Sequence, residues 1–273
     1  ASLGEVAVVP PHGSGAVPYT GIIAFRPSSD AVAPELIPHL FKTDDFRAQI
    51  EAMGVGSVMR HFGPMHLRRM TLLLPPRWQQ QGIVEVLGAL DDKIGANARV
   101  VERADETRRL MYQAMLDGAE QPLSSLAEFV NGRAYTKNAS GSGRVVIRIA
   151  ELNSGLGGST VYNDIVVPED NIARPGDLLF AWSGSLMAHR WYRPEGIINQ
   201  HIFKVIPKPG WPLWLVSCAV DRKLQDFRDI AADKATTMGH IQRHHLDEPV
   251  AVPSAERIAA TDRAMTNLWE RAL

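Results

Sequence analysis

From Ile83 onward, apolar residues recur at alternating steps of four and three: Ile83, Leu87, Leu90 and Ile94. The same register continues through Asn97, Val101, Ala104, Arg108, Met111 and Met115. That spacing is the heptad signature of a helix with one apolar seam. Glu85, Asp91, Asp92, Lys93, Arg99, Glu102, Arg103, Asp105 and Glu106 fall between seam positions and form a solvated face. Asn97 is a polar seam residue of the type that fixes register, whereas Arg108 interrupts the seam and predicts a weaker second half. Pro75 and Pro76 stop the preceding element, and Gly118 stands at a C-terminal cap position. A helix of about 33 residues is on the order of 50 Å long. That exceeds the diameter of a domain of this size, so the pattern predicts a helix that separates two bodies. The competing reading is an amphipathic helix packed on its own domain.

The flanks of this helix resemble each other. "TGIIAFRP" (20–27) matches "QHIFKVIP" (200–207), and an apolar-periodic helix follows in each case. At an offset of 179, Met59 aligns with Met238, His61 with His240, His66 with His245 and Leu67 with Leu246. Each copy reads strand, helix, polar loop, short strand, proline. Internal duplication changes the expected fold from one domain to two related ones. The second copy carries an additional front portion over residues 119–182. After Pro253 another helix opens, with Ile258, Met265, Leu268 and Ala272 at helical spacing. The predicted order is a partial first domain (1–78), the long spacer helix (79–118), a second domain (119–253) and the start of a second helix (254–273). The fold class expected is α/β (α+β), with two similar domains linked by a coiled-coil helix.

The chain has 273 residues, 45% of them hydrophobic and 22% charged, an ordinary globular balance that supports a sizeable core. One cysteine, Cys218, excludes an internal disulfide framework and fits a reducing, cytoplasmic setting. No apolar run is long enough to span a membrane. The opening "ASLGEVAVVPPHGSG" lacks the basic and apolar regions of a signal peptide, and its start without methionine suggests a fragment or one part of a split protein.

The net charge of -1 argues mildly against nucleic-acid binding unless positive charge is concentrated locally. It is. Residues 52–84 contain no acid but carry Arg60, Arg68, Arg69 and Arg77, and residues 234–246 are again free of acids. The loops "GSVMRHFGPMHLRR" (56–69) and "KATTMGHIQRHHL" (234–246) combine hydroxyl, amide, imidazole and cationic groups suited to phosphates and base edges. The candidate DNA-binding residues are Ser57, Arg60 and His61 in the first copy. In the second they are Lys234, Thr236, Thr237, His240, Gln242 and Arg243. Arg133, Lys137 and Arg144 in "NGRAYTKNASGSGR" are further candidates for tracking phosphates. Each stretch also reads as a plain solvated loop.

Other chemistry is poorly supported. His240 and His244 stand four apart, but no third ligand is near, so no metal is expected. Asp91, Asp92 and Lys93 mimic a nuclease motif on the outer face of the helix, where no pocket forms. No phosphate-binding loop or dinucleotide fingerprint is present. Trp182 in "LLFAWSGS" reads as a half-buried core residue. No catalytic residue and no cofactor is predicted.

The stretch "GSVMRHFGPMHLRRMTLLLPPRWQQQGIVEVLGALDDKIGANARV" resembles the junction between a target recognition domain and the first conserved helix of type I restriction-modification specificity subunits. The proline pair, the glutamine, "LGALDDKI" and the asparagine after it carry the likeness. "LAEFVNGRAYTKN", "IRIAELNSG", "PGDLLFAWSGS", "NQHIFKVIP" and "TTMGHIQRHHL" resemble the second recognition domain of such subunits. The resemblance implies a non-catalytic subunit in which each recognition domain reads one half of a split double-stranded DNA target. It further implies helices that pair antiparallel, set the spacing and dock methyltransferase subunits, in a complex that also holds restriction subunits. Ile83, Leu87, Leu90, Ile94, Asn97 and Val101 are the helix-pairing candidates, whose partner is either the second helix or another copy of this chain. Two other classes stay open: a standalone restriction or DNA-modifying enzyme with a recognition domain, and a coiled-coil scaffold that binds only protein.

Overall fold

The computed structural model describes residues 6, 8–9, 15, 17–19, 22–25, 30–53, 62–233 and 241–271. It is a mixed α and β fold that divides into two compact units, residues 1–97 and 98–273. The boundary falls inside the long helix, so the first unit holds the start of that helix and the second holds its end.

In the first unit, a turn of 3-10 helix at Pro34–Leu36 leads into α1 (Ile37–Leu40), followed by α2 (Asp44–Met53) and α3 (Pro64–Leu67). Thr43 caps α2 by accepting from Phe46 N, and Asp44 and Asp45 in the first turn complement the helix dipole. Phe46 and Ile50, one turn apart, pack with Ile37 and Phe41 into a small core, where the Phe41 and Phe46 rings stack at 4.3 Å. The long helix α4 then runs over Arg77–Met115. Its start is fixed by Gln80, 1% exposed. The Gln80 amide accepts from Ala33 N at 2.8 Å and donates to Ala31 O and Pro75 O, both at 2.9 Å. A buried amide with each of these bonds made is stabilising, and one left unmade would be costly. This is the physical content of the proline–proline–glutamine motif. Among the described residues of the first unit no strand forms, although the sequence pattern predicts two. Residues 22–25 and 71–76 follow no ladder, since a strand needs a paired neighbour to satisfy its backbone.

The second unit is built on two four-stranded sheets. The first sheet has the order β2-β9-β6-β7 and is antiparallel throughout: β2 (Ala127–Asn131), β9 (Ile202–Pro207), β6 (Leu178–Ala181) and β7 (Met187–Arg190). The second has the order β4-β3-β8-β5: β4 (Tyr162–Asn163), β3 (Arg144–Ile147), β8 (Gly196–Ile198) and β5 (Ile172–Ala173), with β3 and β8 parallel. A separate pair joins β1 (Glu120–Pro122) to β10 (Pro249–Ala251). The helices are α5 (Leu123–Leu126), α6 (Ile149–Ser154), α7 (Leu213–Asp233) and α8 (Ala255–Arg271). All four residues of β6 are buried, as a central strand covered on both faces requires. One core gathers Phe129, Phe180, Phe203, Trp214 and Phe227, and another gathers Ile147, Leu179, Trp191 and Ile198. The strands that the sequence pattern places at 200–207 and near Pro253 form as β9 and β10, paired with β2, β6 and β1. Those partners lie in the front portion that only the second copy carries.

α8 runs antiparallel to the last turns of α4. Arg257 Nη1 donates to Met115 O at 2.9 Å, Thr261 Oγ1 lies 3.0 Å from Met115 Sδ, and Trp269 lies under the Arg108 guanidinium at 5.2 Å. Advancing along α8 therefore means moving back along α4. No helix among the described residues is long and apolar enough to cross a membrane.

Candidate nucleic-acid interface

Ser57, Arg60, His61, Lys234, Thr236, Thr237 and His240 lie outside the described residues, so the tips of both polar loops do too. The segments that follow the loops are described, and they carry the repeat into three dimensions. In the first unit Gly63 N donates to His66 Nδ1 at 3.0 Å, at the start of α3. In the second unit Gln242 N donates to His245 Nδ1 at 3.0 Å, at the start of the 3-10 turn Arg243–Asp247. Donor and acceptor are each separated by the sequence offset of 179. The same side chain thus closes the same turn in both copies, directly after the acid-free loop.

The turn at 241–243 joins a larger polar surface in the second unit. Ile241 N donates to Trp182 O at 3.2 Å, Trp182 N donates to His201 O at 3.0 Å, and Trp182 Nε1 donates to Asn131 Oδ1 at 2.8 Å. Trp182 is half-buried and stacks on Phe203 with its ring centroid 5.8 Å away, as the sequence reading of a core tryptophan expected. It is also the junction where three chain segments meet. Gln242 and Arg243 are exposed beside it, and Arg133 and Lys137 are exposed on the loop after β2. None of the segments 131–150, 178–194, 196–220 and 241–246 contains an acidic residue. A surface built from such segments suits a polyanion.

Arg144 is placed differently. Its Nε donates to Glu195 Oε1 at 2.5 Å, and Glu195 also pairs with Arg174 at 3.3 Å. Its charge is thus paired within the chain, while its side chain remains 39% exposed. The helix-pairing candidates lie along α4, where Ile83, Leu87 and Val101 are partly covered, Leu90 and Ile94 are 53% and 66% exposed, and Asn97 is exposed. The buried part of the register is the later part: Ala104, Arg108 and Met115. Arg108, which the sequence pattern suggests as the weak point, is one of its most deeply buried members. Its Nη1 lies 3.2 Å from Ser217 Oγ and 3.1 Å from Cys218 Sγ, and its Nη2 lies 3.2 Å from Asp105 and 3.5 Å from Asp221. Burial pushes the Asp221 carboxyl up, against the opposing pull of Arg108. Asp91, Asp92 and Lys93 are exposed, with Asp91 3.8 Å from His39 Nε2. Among the described residues no group of three His, Cys, Asp or Glu side chains gathers as a metal site.

No protein-family model and no curated protein matches the sequence. Solved structures do match. The HsdS subunit from Thermoanaerobacter tengcongensis is 15% identical with a TM-score of 0.43, over 88% of this chain and 63% of that one. The type I restriction-modification S subunit from M. genitalium is 14% identical with a TM-score of 0.45, over 89% of this chain and 69% of that one. A chain from work on complex assembly and conformational transition of the type I R-M system is 18% identical with a TM-score of 0.38, over 88% and 68%. This chain therefore spans less than two thirds of the first of these. At such identities and TM-scores, function is argued from the residues themselves.

Several residues of the surface were not singled out by sequence reasoning. Asn131, Tyr135, Gln200 and His201, with the buried Asn163, Asn171 and Asn199 that bond to this region, come from four separate stretches of chain, and no periodicity links them. The one local signal was the density of Asn, Gln and His in "NQH" (199–201) directly before a strand.

Proposed function

We propose that the chain is a DNA-recognition subunit of a type I restriction-modification system and carries no catalytic site of its own. In this reading each copy of the repeated unit addresses one half of a bipartite duplex target. The long helix sets the spacing and, through its exposed seam, offers a docking surface to methyltransferase subunits, to a second helix or to another copy of this chain. Restriction subunits join the same complex, and the assembly works in the cytoplasm. The observation that carries the reading is the repeated turn. Two acid-free loops 179 residues apart end in the same histidine-to-backbone hydrogen bond and lead through a proline into a helix. Duplicated loops in equivalent places suit a ligand that presents equivalent half-sites.

The test is binding of the full chain to duplex DNA across a salt series. Binding that weakens linearly in log–log form with rising salt, with protection of two separated patches of the duplex, supports the proposal. A chain that binds no duplex at low salt but self-associates through the helix would instead be a protein-binding scaffold.

A further inference from the structure

The loop after β2 is held unusually firmly for a surface segment. Three buried asparagines do the holding. Asn199 Oδ1 accepts from Tyr135 N at 3.0 Å, and Asn163 Nδ2 donates to Tyr135 O at 2.9 Å. Asn171 Nδ2 donates to Asn131 O at 3.1 Å, while its Oδ1 accepts from Tyr135 Oη at 2.9 Å. Asn131 in turn accepts from Trp182 Nε1. Gly132 lets the backbones meet, since a Cβ there would lie 2.2 Å from Asn199 O. Burying amides is costly unless each finds partners, and here the partners are the backbone of one loop. The network ties this loop to Asn163 in β4, to Asn171 before β5 and to Asn199 after β8.

The loop and the turn opposite present two long polar side chains to solvent. Gln200 N donates to Arg133 O at 2.9 Å, and Arg133 forms a bridge with Asn199. Both Gln200 and Arg133 are exposed. The next residue, His201, holds φ at 72°, a region that residues other than glycine rarely occupy. Its Nδ1 is buried without a hydrogen-bond partner. Backbone strain of this kind persists where the surroundings impose it, and it tends to mark sites where a side chain must be aimed.

We propose that Gln200 and Arg133 are a pre-aimed pair that reads two neighbouring base pairs in the major groove, with Asn163, Asn171 and Asn199 as its positioning residues. This rests on the DNA-recognition reading above. Arg133 is bridged to Asn199, the residue before Gln200, and the Gln200 N–Arg133 O bond of 2.9 Å joins the backbones that carry the two exposed side chains, within reach of base pairs stacked at a ~3.4 Å step. Glutamine matches the N6 and N7 edge of adenine with two hydrogen bonds, and arginine matches O6 and N7 of guanine. The pair therefore predicts an adenine next to a guanine, on the same strand or across the step. Rigidity matters because a fork that must be ordered on binding loses discrimination to entropy.

The experiment is selection of the full chain on a duplex library with a randomised core, followed by sequencing of the bound pool. The parent is expected to enrich a motif. Gln200→Ala should lose preference at one base pair by about 5- to 150-fold and keep the rest of the motif. Arg133→Ala should lose it at the neighbouring base pair, and Arg133→Lys should fail to restore it, since lysine keeps the charge without the fork. Asn171→Ala should blur both positions together. Tyr135→Phe, which removes only the hydroxyl bond to Asn171, should do so more weakly in a chain that still folds. If Gln200→Ala enriches the parental motif at every position, the pair is not the reader, and DNA recognition stands without it. Recovery by Arg133→Lys would make Arg133 a phosphate contact and overturn its half of the proposal. A parent that enriches no motif would overturn the pair and the DNA-recognition reading together.

Discussion

Replacing Arg108 with methionine should unfold the second unit more easily by about 2–3 kcal/mol. The magnitude follows from its surroundings. Removing one partner of a buried ion pair typically costs about 3–5 kcal/mol. Arg108 is 3% exposed, but its carboxylate partners Asp105 and Asp221 are 36% and 24% exposed at the side chain, so water recovers part of that cost. Methionine fills much of the space of the aliphatic stem and can lay its sulfur near Trp269, though the guanidinium's contact with that ring is lost. Five of the six tryptophans, at 182, 191, 211, 214 and 269, lie in the second unit, so urea unfolding followed by tryptophan fluorescence reports on it. The pH dependence separates charge from packing. Asp221 is an acid whose folded-state pKa is raised, chiefly by burial and against the pull of Arg108. Ionising it costs the folded state nothing below its unfolded pKa and the full penalty above its folded one. Without Arg108 that penalty grows. The gap between parent and variant should therefore be largest at neutral pH and should narrow as pH falls through the Asp221 titration. Adding Asp221→Asn to the variant should recover about 1–2 kcal/mol by removing the stranded charge. A variant within about 0.5 kcal/mol of the parent, or a gap indifferent to pH, would refute the view of Arg108 as a buried, paired seam residue.

Three further outcomes are expected. Cys218 is buried, and burial pushes its thiol up to about 12, so a thiol reagent should label the native chain far more slowly than the urea-unfolded chain at pH 8. Gly132→Ala should cost at least about 2 kcal/mol in the same urea assay, since strand backbones must separate to admit the methyl group. The pair Leu90→Asp and Ile94→Asp should leave the chain's own stability within about 0.5 kcal/mol of the parent, because both side chains face solvent here. The same pair should abolish any association through the helix, measured by sedimentation.

What the sequence could tell depended on how local the signal was. The long helix was legible because its 4-3 register and its proline stop lie within one stretch. One aligned pair of the expected repeat was legible as a shared contact, since His66 and His245 accept the same backbone hydrogen bond in both units. Arg133, Lys137, Gln242 and Arg243 were legible as exposed polar candidates, and they are exposed. Arg144 shows where such reasoning stops, because the acid that pairs with it, Glu195, stands 51 residues away. The asparagine network was invisible for the same reason. Its members span Asn131 to Asn199 and meet only once two sheets have formed. The absence of strands among the described residues of the first unit marks a different limit. Residue pattern indicates strand propensity, but a strand forms only where another supplies the ladder.

The long helix shows how one sequence register can serve two purposes. Ala104, Arg108 and Met115 are covered because α7 and α8 supply neighbours, and even a guanidinium is tolerated there because Ser217 meets its Nη1 and Asp105 and Asp221 its Nη2, although its Nε is buried without a partner. Leu90 and Ile94 continue the same register with nothing in the described chain over them. Trp78 and Val86 are exposed near the start of the same helix, at 78% and 62%. Large exposed apolar side chains clustered on one helix are expensive to leave in water, which supports the docking role proposed for this surface. Asn97 fits that view. An exposed asparagine fixes nothing, whereas one closed into a helix pair restricts the partner to the register that satisfies its amide. If the proposed helix pairing holds, specificity would sit at Asn97 and affinity at Leu87, Leu90 and Ile94. Substituting Asn97 with leucine should tighten association through the helix while loosening its register.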